Sequence, residues 1–131
     1  MNINKTRKTY KDKKSIFNLT GSPIKIFKEW YLEAEKKVSE PNAFALSTSY
    51  KNIPSSRMML LKSFSSTFIF YTNISSKKGK EIENNKAASI LFWWKEMQRQ
   101  VRMDGKLEQL STTKGKKYVY TSNYESQRGA I

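Results

Sequence analysis

Apolar residues recur first with a helical period and then with a strand period. Phe27, Trp30, Tyr31, Ala34 and Val38 are spaced by three and four, which puts them on one face of a helix. Gly21-Ser22-Pro23 ahead of them supplies a turn, an N-cap and a proline at the first helical position. Glu40-Pro41 predicts the end, since proline cannot continue a helix. An aromatic stripe of this kind is what a helix needs in order to pack on a sheet.

Beyond Pro41-Asn42 the period shortens. Ala43 to Ser49, Ser55 to Lys62 and Thr67 to Thr72 are short runs rich in apolar, aromatic and hydroxyl residues. Lys51-Asn52-Ile53-Pro54 and Ser63-Phe64-Ser65-Ser66 separate them, so they predict an antiparallel meander. Ser76 to Asn84 reads as a short helix that stops at Asn84-Asn85. Ala87 to Trp94 is apolar on both faces and predicts a buried, central strand. Val101, Met103, Gly105 and Leu107 alternate with Arg102, Asp104, Lys106 and Glu108, so that strand buries one face and wets the other, with Gly105 marking a bulge or bend. Ser111 is placed to cap a last helix through about Ser122, and residues 123–131 carry no period.

Composition narrows the chemistry. At 131 residues the chain suits one domain with a single core, here residues 21–131. Residues 1–20 hold Lys5, Arg7, Lys8, Lys11, Lys13 and Lys14 against Asp12 alone, with few large apolar residues, and read as a mobile basic arm. With no cysteine and no histidine, disulfides, thiolate zinc sites and Ser-His or Cys-His dyads cannot be built from these residues, and no metal is expected. Chemistry falls to Lys, Arg, Tyr, Ser, carboxylates or a cofactor. The formal charge of +14 attracts phosphate-bearing ligands, nucleic acid or anionic membrane, and the sign alone does not choose among them. The chain shows no apolar signal core and no apolar run near the roughly 20 residues a bilayer requires, so a cytoplasmic protein without membrane contact is expected.

Three segments carry the most specific signal: Arg57-Met58-Met59-Leu60-Leu61-Lys62, then Tyr71-Thr72-Asn73-Ile74-Ser75-Ser76-Lys77-Lys78-Gly79, then Arg99-Gln100-Val101. Two cations bracket an apolar strand, a second strand ends in a tyrosine and a threonine, and a Ser-Lys-Lys-Gly turn opens a short helix whose free N–H groups favour an anion. In this order and spacing the segments resemble the flavin-binding core of the pyridoxamine 5′-phosphate oxidase family, over roughly Ser22 to Gly129. The resemblance implies an α+β, mainly β fold, the FMN-binding split β-barrel, with an N-terminal helix packed on it and short helices at its periphery. It implies a homodimer with FMN in the interface.

For the cofactor, the resemblance assigns Arg57, Met58, Met59, Leu60, Leu61 and Lys62 to the flavin, Tyr71 and Thr72 to the next strand, Lys77 and Lys78 to the phosphate, and Gln100 to a hydrogen bond with the flavin. Arg57 and Lys62 are five positions apart, so on a regular strand they face opposite sides roughly 17 Å apart and suit an extended ligand rather than a single phosphate. Lys77 stands where the family has arginine and lacks its bidentate fork. For the substrate, pyridoxamine or pyridoxine 5′-phosphate with oxygen as the second reactant, the resemblance assigns Arg7, Tyr10, Lys62, Tyr118 and Ser126. Ser122 occupies the place of a phosphate-binding arginine, and an Arg-x-His pair found in a C-terminal segment of family members has no counterpart in these 131 residues. Impaired oxidation to pyridoxal 5′-phosphate is therefore expected. A flavin binder without turnover, or a small basic barrel stacking Trp93, Trp94 and Tyr124 on nucleic-acid bases, fits the same composition. No nucleic-acid motif is present, and the two tryptophans sit in a run that reads as core.

Overall fold

The computed structural model describes residues 22–72, 86–112, 115–122 and 128–130, with side chains as far as residue 108. The basic arm and the 76–84 helix lie outside the described residues.

Helix α1 (Pro23–Lys37) starts where the sequence places it. The Ser22 hydroxyl accepts a hydrogen bond from the Lys25 N–H at 3.3 Å, and Pro23 takes the first position, where an N–H would be unpartnered anyway. Phe27, Trp30 and Ala34 are buried. The helix ends three residues before Glu40, because the β-branched Val38 turns extended and packs against the core while its N–H still donates to the Ala34 carbonyl at 2.8 Å.

Among the described residues eight strands follow, all paired antiparallel. β1 (Ala43–Tyr50) and β2 (Ile53–Leu60) form a hairpin whose Lys51-Asn52 turn has φ of 50° and 64°, the left-handed pair that matches strand twist. This tight turn lets β2 begin at Ile53, two residues earlier than the sequence suggests. β3 (Ser63–Phe64) pairs with β4 (Phe68–Thr72). β5 (Ala87–Trp94) and β6 (Arg99–Thr112), joined by a 3₁₀ turn at Lys95–Met97, form a second antiparallel pair. β7 (Gly115–Ser122) and β8 (Arg128–Ala130) complete the set.

The strands run in the order β2-β1-β5-β6-β7-β4-β3, with β8 beside β6. Leu60 still pairs with Ala43 on β1, whereas the Lys62 N–H donates to the Ile69 carbonyl on β4 at 2.8 Å. Within two residues the chain passes from one end of the sheet to the other, so β2 and β3 join the two edges covalently and the sheet closes as a split β-barrel. The fold is α+β and mainly β.

Four expectations change. The meander does not form: β2 pairs with β1, whereas β4 pairs with β3 and β7, so the three strands do not lie side by side. The last helix is absent: residues 115–122 form β7 and pair with β6 from Gly105↔Ser122 to Thr112↔Gly115. The Tyr118-Val119-Tyr120-Thr121 run is β-branched and aromatic, and that preference outweighs the capping signal of Ser111. Gly105 interrupts nothing, since it pairs in unbroken register with Ala88 on one side and Ser122 on the other. The β5 strand is central but buried on one face only. Ala88, Ile90, Phe92 and Trp94 point into the core, while Trp93 is 44% exposed on the other side.

Phe27 organises the contact between helix and barrel. Its ring lies 5.0 to 5.8 Å from those of Phe64, Phe68, Phe92 and Trp94. The Trp94 indole N–H is satisfied by the Pro41 carbonyl at 3.0 Å.

Candidate functional site

The strand closure brings the first two motif segments together. β2 carries Arg57 through Leu60, Lys62 follows at the switch, and the backbone of Lys62 bonds to β4 two residues before Tyr71. Thr72 ends β4, its backbone paired with Lys116 of β7. Strand alternation then sorts the side chains. Arg57, Met59 and Leu61 point to the interior side, Leu61 fully within the core and Met59 packed against it. Met58 and Leu60 point outward, 66% and 51% exposed, and Lys62 and Tyr71 are exposed as well. Arg57 and Lys62 thus lie on opposite faces, as their spacing requires.

Arg57 is the most constrained of these side chains. Its Nη1 donates to the Leu46 carbonyl at 3.1 Å and to the Thr48 hydroxyl at 2.8 Å, both on β1. Leu46 is its register partner, and Thr48 lies one diagonal step further along the strand. Thr48 is itself buried. No motif singles it out in the sequence, although Phe44, Leu46 and Thr48 share one strand phase and a hydroxyl in a core phase is the available signal.

Gln100 sits elsewhere. It is exposed on β6, between the buried Arg99 and Val101, and pairs with Trp93 on one side and Ala130 on the other. β1 and β5 separate β6 from β2, so Gln100 is roughly 14 Å from the Arg57 strand and on the opposite face of the sheet. One chain therefore does not bring Arg57 and Gln100 to a common point. Around Gln100 the outer face is apolar at one end, with Met58, Leu60, Ala45, Leu91 and Trp93, and bears hydroxyls at the other, where Ser47 and Ser56 meet at 2.9 Å.

The donor set fits FMN as an extended ligand: the tethered Arg57 guanidinium suits its phosphate, the exposed Lys62 ammonium on the other face suits a part of it remote from that phosphate, an exposed amide suits the polar edge of the ring, and outward Met58 and Leu60 offer apolar surface to its faces. Tyr118 pairs through its backbone with Phe70 and Gln109, which puts β7 next to the Tyr71 strand. Lys77, Lys78, Arg7, Tyr10 and Ser126 lie outside the described residues. Among the described residues no helix is long and apolar enough to cross a membrane.

Comparison with known proteins agrees with this architecture. The family described as pyridoxamine 5′-phosphate oxidase matches residues 32–131. The chain is 46% identical over 111 residues to a pyridoxine/pyridoxamine 5′-phosphate oxidase of Pelagibacter ubique, covering 82% of this chain and 53% of that one. The chain thus spans about half the length of the curated relatives it matches. Among solved structures, PhzG from Burkholderia lata 383, in complex with tetrahydrophenazine-1-carboxylic acid, superposes with a TM-score of 0.67 at 30% identity, over 72% of this chain and 48% of the other. A pyridoxamine 5′-phosphate oxidase-related, FMN binding protein from Nostoc punctiforme shares the fold with a TM-score of 0.62 at 21% identity, over 72% and 50% of the two chains. Motif order, strand closure and sequence match together place the chain in the pyridoxamine 5′-phosphate oxidase family.

Proposed function

We propose that two copies of this chain hold FMN between them and serve the oxidation of pyridoxamine or pyridoxine 5′-phosphate to pyridoxal 5′-phosphate by oxygen, with a weakened substrate site. One observation carries the reading: Arg57 and Gln100 stand on opposite faces of one sheet, so a ligand that uses both must lie between copies. The outward Met58, Leu60 and Trp93 supply the apolar surface such a pair of copies would cover. Bound flavin would supply the redox chemistry, accepting a hydride equivalent from the substrate and returning electrons to oxygen. The protein's own residues bind and orient. Arg57, with Lys77 and Lys78, neutralises the cofactor phosphate; Gln100 of the other copy addresses the ring; and Lys62, Tyr118, Ser126, Arg7 and Tyr10 serve the substrate.

Ser122 favours a second reading, a flavin binder with little turnover, because a serine cannot supply the charged fork of the arginine that family members carry there. Both readings share the cofactor site, so it is tested first. FMN and riboflavin affinities are measured by flavin fluorescence quenching for the unaltered protein and for Arg57→Ala. A charge-assisted contact to phosphate is worth about 1.5–3 kcal/mol, so FMN should weaken by roughly tenfold to over a hundredfold while riboflavin holds. Equal loss for both flavins would remove Arg57 from the phosphate. Peroxide release with pyridoxamine 5′-phosphate then separates oxidase from binder.

A further inference from the structure

We infer that Thr48 is a positioning residue that sets how strongly this protein prefers phosphorylated over unphosphorylated flavin, acting through the guanidinium of Arg57. The inference rests on the reading that Arg57 meets the FMN phosphate. Thr48 is 4% exposed, and among the described residues only it and Arg99 are buried polar or charged side chains. A buried hydroxyl is costly unless its hydrogen-bonding capacity is used, and here its oxygen accepts from Arg57 Nη1 at 2.8 Å. The same nitrogen donates to the Leu46 carbonyl at 3.1 Å. Nη1 carries two hydrogens, so one goes to a backbone oxygen and the other to a side-chain oxygen. The two acceptors stand at successive inward positions of β1, which fixes the plane of the fork and not merely its location.

That plane decides what the remaining corner of the fork can do. Bidentate recognition of phosphate requires the guanidinium to present parallel N–H groups, and a freely rotating arginine loses entropy when it adopts that orientation. A fork already held by β1 forfeits less on binding. Leu46 offers only a backbone acceptor that no side-chain substitution removes, whereas Thr48 Oγ1 is an adjustable anchor. Riboflavin lacks the phosphate and draws nothing from the orientation of Arg57. Thr48 therefore contributes to the ratio of FMN to riboflavin affinity rather than to flavin binding at large.

The test measures dissociation constants of both flavins for the full chain carrying Thr48→Val, Thr48→Ser and Arg57→Ala, and for the Arg57→Ala, Thr48→Val double variant. Losing one hydrogen bond to a charged donor should weaken FMN by about three- to tenfold in Thr48→Val, with riboflavin inside about twofold. Thr48→Ser keeps the acceptor and should restore the ratio. In the Arg57→Ala background, Thr48→Val should leave the ratio where Arg57→Ala alone put it, because the anchor then has nothing to hold. If Thr48→Val does not fold, Thr48→Ser against Thr48→Cys makes the same comparison with one atom changed, oxygen for a poorly accepting sulfur. A ratio unmoved by loss of the acceptor, while Arg57→Ala collapses it, overturns the role of Thr48 and leaves the FMN site standing. A ratio unmoved by Arg57→Ala overturns the phosphate assignment itself, and the inference falls with it.

Discussion

The Arg99 guanidinium lies 2.7 Å from the Glu33 carboxylate and joins helix α1 to the first residue of β6. It also sits 4.8 Å from the centre of the Trp30 ring, so this buried cation is met by a carboxylate and by an aromatic face. Among the described residues, removing Glu33 would leave the largely desolvated Arg99 with the Trp30 ring. Glu33→Gln should destabilise the fold by about 1–2 kcal/mol, read from urea unfolding, since hydrogen bonds to charged groups sit near that range and Glu33 is partly solvated.

The same pair gives a pH dependence with a definite sign. Hydrogen bonds from Lys37 and then Arg99 hold the Glu33 carboxyl below its ordinary value of 4.5. A carboxyl lowered in the folded state binds fewer protons there than in the unfolded chain. Its contribution is complete above that ordinary value and fades as pH falls through the lowered one. Unfolding midpoints taken between pH 6 and pH 3 should fall less steeply for Glu33→Gln than for the unaltered protein. Parallel curves would show that Glu33 does not titrate with folding.

Phe27 and Leu32 sit on the same helix with opposite fates. Phe27 is buried among four rings of the barrel, while Leu32 is 52% exposed. Phe27→Ala should cost about 3–5 kcal/mol of unfolding free energy, because the helix cannot collapse into a space that strands hold open. Leu32→Ala should change stability by less than about 0.5 kcal/mol. Comparable losses would mean that α1 docks by another face.

Periodicity alone makes most of this fold legible. The Phe27-Trp30-Ala34 stripe and the Ser22-Pro23 start located α1, and the Val101-Met103-Leu107 alternation fixed which face of β6 is buried. What the sequence concealed follows from physical ambiguity. Ser111-Thr112 can open a helix or end a strand, and only pairing with β6 decides that residues 115–122 extend the sheet. Trp93 and Trp94 look alike in an apolar run, yet strand parity sends one into the core and the other outward. The site was half visible. The resemblance named Arg57, whereas Thr48 and the Arg99 clamp depend on neighbours 9 and 66 residues away along the chain. Periodicity cannot report such contacts.

The outward face of β2, β1 and β5 predicts a dimer that surface charge can break. Met58 is 66% exposed and its strand neighbours Arg57 and Met59 point inward, so Met58→Glu should spare the core. Two copies of that carboxylate on an apolar interface would be desolvated together, which is strongly unfavourable. Light scattering at micromolar concentration should give a dimer for the unaltered protein and a monomer for Met58→Glu, with thermal midpoints within a few degrees. A Met58→Glu dimer would place the interface elsewhere.

The substrate side offers the last test. Ser122 pairs with Gly105 at the end of β7, on the strand that also carries Tyr118, and it stands where the family resemblance expects an arginine for the substrate phosphate. A serine hydroxyl forms one neutral hydrogen bond there at best, against a bidentate, charge-assisted pair. The difference is about 1.5–3 kcal/mol, so Ser122→Arg should tighten pyridoxal 5′-phosphate binding by roughly tenfold to a hundredfold in equilibrium dialysis. Wherever peroxide release is measurable, KM for pyridoxamine 5′-phosphate should fall with kcat little changed, the pattern of uniform binding recovered. Pyridoxal, which has no phosphate, should bind the two proteins equally. If Ser122→Arg improves both ligands alike, or neither, then β7 does not face the substrate phosphate in the register the family motif implies.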